Sequence, residues 1–124
     1  MKKILVVDDA GTVRMYHKKI LEDVGFEVDE AVNGLEALEK ALINDYDLYI
    51  VDINMPKLDG YSFVKKLRSS ESVRQSPVIM VTTEAEEKDM HKAYENGANF
   101  YIVKPVNPDE LIKVCKLFLG ETYE

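Results

Sequence analysis

Five short apolar runs, each followed by a longer stretch of helical period, set the narrowest limit on what this chain can become. The runs are Ile4-Leu5-Val6-Val7, Glu27 to Val32, Leu48-Tyr49-Ile50-Val51, Val78 to Val81 and Phe100 to Val103. The first, third and fourth are almost unbroken and β-branched, as central parallel strands covered on both faces require. The second, Glu27-Val28-Asp29-Glu30-Ala31-Val32, mixes charge with apolar residues and suits an edge. Strands that alternate with helices over short connections make right-handed crossovers, hence a parallel sheet with helices on both faces. The expected fold is α/β, a doubly wound five-stranded (βα)5.

The helical segments carry their own signals. Val13, Tyr16, Ile20 and Val24 predict the inward stripe of the first helix, with Gly25 ending it. Leu35, Leu38, Ala41 and Leu42 predict the second stripe, behind Asn33 with Glu36 three residues on. Tyr61, Val64 and Leu67 fit a shorter third helix. Thr83 and Glu86 have capping-box spacing and open a fourth, with Met90, Ala93 and Gly97 along its stripe. Asn107, Pro108 and Glu110 open a fifth, with Leu111, Cys115 and Phe118 inward. The chain has 124 residues, enough for one core, and no segment remains for a second domain.

Charge and composition narrow the functions. With 16 basic and 23 acidic residues the net charge is −7, which argues against nucleic-acid binding, since that needs a basic face. The one cysteine, Cys115, reads as a small buried hydrophobe rather than a reactive thiol. No apolar run approaches the roughly 20 residues of a membrane span. Met1-Lys2-Lys3 lead straight into a strand without an h-region, so the cytoplasm is the expected compartment. His17 and His91 lie far apart on helices and read as solvated or boundary residues, which leaves no zinc-type cluster.

In open parallel sheets ligands gather at the carboxyl ends of the strands. Here the first strand is followed by Asp8 and Asp9, the third by Asp52 and Ile53-Asn54-Met55-Pro56, the fourth by Thr82, and the fifth by Lys104-Pro105. Each residue alone has an ordinary structural explanation as a cap, turn or surface group. Together they bring three carboxylates, a hydroxyl and an ammonium to one rim. Like charges at such range raise one another's pKa values unless a cation intervenes. A hard divalent ion such as Mg²⁺ takes oxygen ligands of this kind.

The ordered set Asp8-Asp9, Asp52 with Asn54-Met55-Pro56 and Asp59-Gly60, Thr82, and Lys104-Pro105 closely resembles a response-regulator receiver domain of two-component signalling. The resemblance runs from about Lys3 to Leu119. Within that family the stand-alone chemotaxis regulators of the CheY type are nearest, on the strength of Asn54, Glu84, Tyr101 and the expectation that 1–124 is one receiver domain without an output domain. The resemblance implies a flavodoxin-like sheet of order 2-1-3-4-5. It implies that Asp52 takes a phosphoryl group from a histidine kinase, and that Asp9, Asp52 and the Asn54 main-chain carbonyl bind Mg²⁺, with Asp8 acting through water. It further implies that Lys104 and Thr82 contact the phosphoryl oxygens, that Thr82 and Tyr101 form a switch, and that Asn54 and Glu84 tune dephosphorylation. Such a protein is a monomeric, stoichiometric phospho-acceptor rather than an enzyme. It signals through the face of the fourth helix, fifth strand and fifth helix, to an output target or a phosphotransferase, and not to nucleic acid or membrane. Ala10 stands where serine is common. Thr83 is bulkier than the alanine often found there, and is expected to restrict inward rotation of Tyr101.

Other functions fit less well. A haloacid-dehalogenase-type phosphatase would want a second Asp at the position of Asn54. A flavin binder would need a hydroxyl- and glycine-rich loop after the first strand, where Asp8 and Asp9 stand. A P-loop NTPase would need G-x-x-x-x-G-K-[ST], which is missing. Within the receiver reading, a diffusible switch and a phosphorelay shuttle share the same site residues.

Overall fold

The computed structural model describes residues 1–121, so the last three residues of the expected 1–124 domain lie outside it. Strand and helix alternate throughout: β1 (Lys3–Val7), α1 (Gly11–Glu22), β2 (Glu27–Ala31), α2 (Gly34–Ile43), β3 (Leu48–Val51), α3 (Gly60–Ser69), β4 (Val78–Thr82), α4 (Glu87–Glu95), β5 (Phe100–Val103) and α5 (Pro108–Phe118). All pairings are parallel, in the order β2-β1-β3-β4-β5. Among the described residues no helix is long and apolar enough to cross a membrane.

The period-2 alternation of the strands divides the core in two. Leu5, Val7, Tyr49, Val51, Val78, Met80 and Tyr101 meet α2, α3 and α4 on one face. Ile4, Val6, Leu48, Ile50, Ile79, Val81 and Ile102 meet α1 and α5 on the other. Cys115 is fully buried in this second layer, and burial pushes its thiol up to about 12, so it behaves as a hydrophobe.

Two helix starts are as the sequence implies: Asn33 accepts from the Glu36 amide at 2.8 Å and Asn107 from Glu110 at 3.2 Å. On α3 the structure adds a cap that the sequence reading did not name, Asp59 accepting from the Ser62 amide at 2.9 Å. The fourth start differs. α4 begins at Glu87 with Glu86 before it and no side-chain cap, so Thr83 and Glu86 form no capping box. Residues 83–86 are instead a loop, in which the Glu84 amide donates to the Thr82 hydroxyl at 3.3 Å.

Two stripes are also rotated from expectation. On α1 the buried residues are His17, Ile20 and Leu21, while Tyr16 and Val24 are exposed. On α2 they are Gly34, Ala37 and Ala41, while Leu35 and Leu42 face outward. The reason on α2 is close approach: a Cβ on Gly34 would lie 2.3 Å from the Leu58 carbonyl oxygen, so small residues face inward.

Gly60 imposes the tightest such constraint at the centre of the sheet. A Cβ there would sit 2.3 Å from the Asp52 carbonyl oxygen and 2.8 Å from Ile53 Cα, both backbone atoms. The Gly60 amide also donates to the Ile53 carbonyl at 2.8 Å, tying the start of α3 to the residue after Asp52. Gly60→Ala is therefore expected to lower unfolding free energy by about 1–3 kcal/mol, as overpacking does. Urea denaturation checks this, and an unchanged midpoint would mean that α3 can retreat from Asp52 at no cost.

Candidate functional site

The carboxyl ends of β1, β3, β4 and β5 bring the anticipated residues together. Asp8 is almost fully buried, its Oδ1 accepting from the Ala10 amide at 2.9 Å and its Oδ2 from Lys104 Nζ at 2.7 Å. Asp52, only 9% exposed, holds the Ile53 amide with Oδ1 at 2.8 Å, and its Oδ2 lies 3.7 Å from the same ammonium. Asp9 is exposed beside them. Asp8, Asp9 and Asp52 can each offer a carboxylate oxygen within 4.8 Å of the others. Thr82 is fully buried at the end of β4, and its carbonyl accepts from the Lys104 amide at 2.8 Å. The peptide bond between Lys104 and Pro105 is cis.

Around this centre the remaining anticipated residues form a second tier. Asn54, in the loop after β3, donates through Nδ2 to Glu84 Oε1 at 2.7 Å. Tyr101 is turned inward, 8% exposed, and its hydroxyl donates to the Glu84 carbonyl at 2.6 Å. The expected obstruction by Thr83 does not arise. Thr83 is exposed and borders a recess with Val13, His17 and Val106, on the α1/α5 side of the sheet, whereas Tyr101 packs on the opposite side.

His17 corrects a further expectation, because it is buried rather than solvated. Burial, then the nearby Lys104 charge, hold its pKa below the usual imidazole value, with Asp8 acting the other way. It lines an almost wholly apolar recess of about 320 Å³ with Tyr16, Pro105 and Lys104, the lysine that pairs with Asp8. Its place three and four residues before Ile20 and Leu21 was the available signal.

The electrostatics of Asp52 follow from this setting. Burial is the main cause that raises its pKa; Lys104 opposes the shift and Asp8 adds to it. The arrangement is a buried carboxylate at a shallow, anionic, oxygen-rich rim with one ammonium beside it. Such a site can hold a hard divalent cation and accept an electrophilic phosphorus in line with an Asp52 oxygen.

Residues 4–116 match the response-regulator receiver domain family, and the chain belongs to it: it is a receiver domain of two-component signal transduction. Among its relatives is the transcriptional regulatory protein SrrA of Staphylococcus aureus, 40% identical over 120 residues. That match takes in 97% of this chain and 48% of SrrA, so the chain spans about half the length of the curated relatives it matches. Among solved structures, the chemotaxis protein CheY4 of Vibrio cholerae superposes with a TM-score of 0.90 at 38% identity, covering 96% of this chain and 99% of that one. The receiver domain of the Pseudomonas aeruginosa sensor histidine kinase PA1611 gives 0.89 at 29% identity over 97% and 98%, and holds a magnesium ion in its active-site cleft.

A raised carboxyl pKa has a defined consequence for stability. The folded state holds the Asp52 proton to higher pH than the unfolded chain does, so stability falls as pH rises from the unfolded value through the folded one. Ionised Asp52 therefore destabilises the metal-free protein at neutral pH. Asp52→Asn is expected to be more stable than wild type at pH 7 in EDTA, with the gap closing as pH drops below the unfolded carboxyl pKa. Urea titrations at both pH values test this; an Asn variant less stable at pH 7 would contradict the electrostatic account.

Proposed function

We propose that this receiver domain is a phosphorylation-driven switch whose acceptor is Asp52. One observation carries the reading: Asp52 is the carboxylate at the end of the central strand, with Lys104 Nζ 3.7 Å from its Oδ2 and Thr82 buried at the end of the neighbouring strand. In the transfer an Asp52 oxygen bonds to phosphorus as the bond to the donor histidine nitrogen breaks, leaving a 4-aspartylphosphate. Lys104 then pairs with the phosphoryl oxygens and Thr82 donates a hydrogen bond to one of them, opposing the charge that accumulates there. The chain is consumed stoichiometrically in this step and is not an enzyme toward an outside substrate.

The donor set also suits Mg²⁺. Asp9, Asp52 and the Asn54 main-chain carbonyl would hold it, with Asp8 supporting from the outer shell. Bound there, the ion offsets the negative charge of the cluster and of an incoming phosphoryl group.

For the signal's exit, phosphorylation replaces the single charge of the Asp52 carboxylate by a phosphoryl group carrying about −1.5 to −2 beside Thr82. Drawing Thr82 toward the phosphoryl group moves the 83–86 loop, whose Glu84 carbonyl is bound by Tyr101. The face of α4, β5 and α5 changes with it, and already exposes Tyr94, Phe100, Val103 and Leu117. We assign the output partner to that face and a histidine kinase as donor, with this domain acting in the cytoplasm as a monomer and itself binding neither nucleic acid nor membrane. Likeness to CheY4 over nearly its whole length favours a chemotaxis role, with Asn54 and Glu84 setting the lifetime of the phosphorylated state. A shuttle passing the phosphoryl group to a histidine phosphotransferase uses the same site residues.

Acetyl phosphate with Mg²⁺ should add one phosphoryl mass to the wild type and none to Asp52→Asn. Undiminished labelling of that variant, read by intact mass, would sink the assignment. Free Mg²⁺ at ten times its Kd should stabilise the wild type by about 1.4 kcal/mol, a rise of roughly 3–6 °C in Tm. Asp9→Ala should remove that response; a wild-type Tm indifferent to millimolar Mg²⁺ would rule out the metal site.

A further inference from the structure

α4 is held to the body of the protein by few apolar contacts. Only Ala93 is buried, and Met90 is half-buried against the core. With so narrow an apolar face, polar contacts decide where the helix rests. Two tyrosine hydroxyls supply them from different elements. Tyr101 of β5 binds the Glu84 carbonyl just before the helix, and Tyr61 of α3 donates to the Asp89 carbonyl in its first turn at 3.2 Å. Lys92, three residues beyond Asp89, returns the contact by placing Nζ 4.6 Å from the centre of the Tyr61 ring. Glu84, whose carbonyl is the first anchor, also accepts from Asn54 Nδ2 through its carboxylate. That bridge joins the loop after Asp52 to the loop after Thr82.

We propose that Tyr61 is a positioning residue: it holds the first turn of α4 against α3 through the Asp89 carbonyl and Lys92, and so keeps Glu84 on Asn54, a bridge across the approach to Asp52 in the resting protein. Its effect on phosphorylation rate rests on the reading of Asp52 as acceptor. Its effect on α4 and Glu84 does not. Tyr61 lies outside the carboxylate cluster and touches no reacting atom; it acts through backbone and through Glu84.

Two substitutions separate its contacts. Tyr61→Phe keeps the ring under Lys92 and deletes the hydroxyl, while Lys92→Met keeps the stem and deletes the charge. In unphosphorylated protein, Tyr61→Phe should speed amide exchange in α4 roughly 2- to 10-fold over wild type, the range expected for one hydrogen bond, with α5 unchanged. It should also move the Asn54 side-chain amide resonances part of the way to their position in Glu84→Ala, and Lys92→Met should do the same to a smaller extent. Equal acceleration in α4 and α5 with Asn54 unmoved, or wild-type behaviour throughout, would overturn the proposal. With acetyl phosphate and Mg²⁺, Tyr61→Phe and Glu84→Ala should each label faster, and the double variant no faster than Glu84→Ala alone. Rates that multiply in the double variant would also overturn it, because the two residues would then act independently. If the wild type itself takes no label, the acceptor reading of Asp52 fails, and exchange and the Asn54 resonances alone decide the role of Tyr61.

Discussion

One ammonium lets two buried carboxylates share the end of a sheet. Lys104 Nζ lies 2.7 Å from Asp8 and 3.7 Å from Asp52, and its side chain is largely buried with theirs. Two like unit charges 4 Å apart repel by about 4 kcal/mol at the effective dielectric of a protein surface. Asp8 and Asp52, without a positive charge between them, would push the ends of β1 and β3 apart or force protonation. Lys104 reaches them because β5 is carried to the same end of the sheet. The parallel topology and the charge arrangement thus depend on each other.

The sheet meets that demand through its two-sided core. β1, β3 and β4 are covered on both faces, so their register is fixed by side chains packing above and below. Asp52 therefore emerges from a rigid strand, and the close approach of Gly60 fixes the loop that follows. The other side of the rim is packed more thinly, with Ala93 the one buried residue of α4. The 83–86 loop and α4 hang on Tyr101, Tyr61 and a thin apolar contact, so the proposed phosphorylation of Asp52 would add charge next to a thinly packed element. Under the proposed function, a tightly packed Asp52 beside a thinly packed helix is the arrangement that would turn a local charge into a change of surface.

The sequence was most legible where burial is complete. Unbroken β-branched runs located β1, β3 and β4 within a residue, and the charged run of β2 placed it at the edge. Asn33 and Asn107 announced their helices because a cap is a local event. Helix phase was less legible. On α1 a histidine takes an inward position that an apolar stripe does not foretell, and on α2 glycine and alanine, not leucine, face the neighbouring loop. Periodicity weighs side-chain size, while packing at close range selects for its absence. Thr83 shows the same limit: its distance in sequence from Thr82 said nothing about which side of the sheet it would take.

The chain's own sequence determined the fold class, the strand order through its family pattern, and the set Asp8, Asp9, Asp52, Thr82 and Lys104 at the strand ends. Strand periodicity and connection length are local properties, and parallel topology then brings all strand ends to one rim. Only the tertiary structure decided that Lys104 lies nearer Asp8 than Asp52, that Tyr101 is turned inward onto Glu84, that Glu84 is bonded to Asn54, and that His17 is buried beside Lys104. These contacts join residues from different strands, helices and loops, 17 to 96 positions apart where hydrogen-bonded. Their distances are set by how helices settle on the sheet, which residue order alone does not encode.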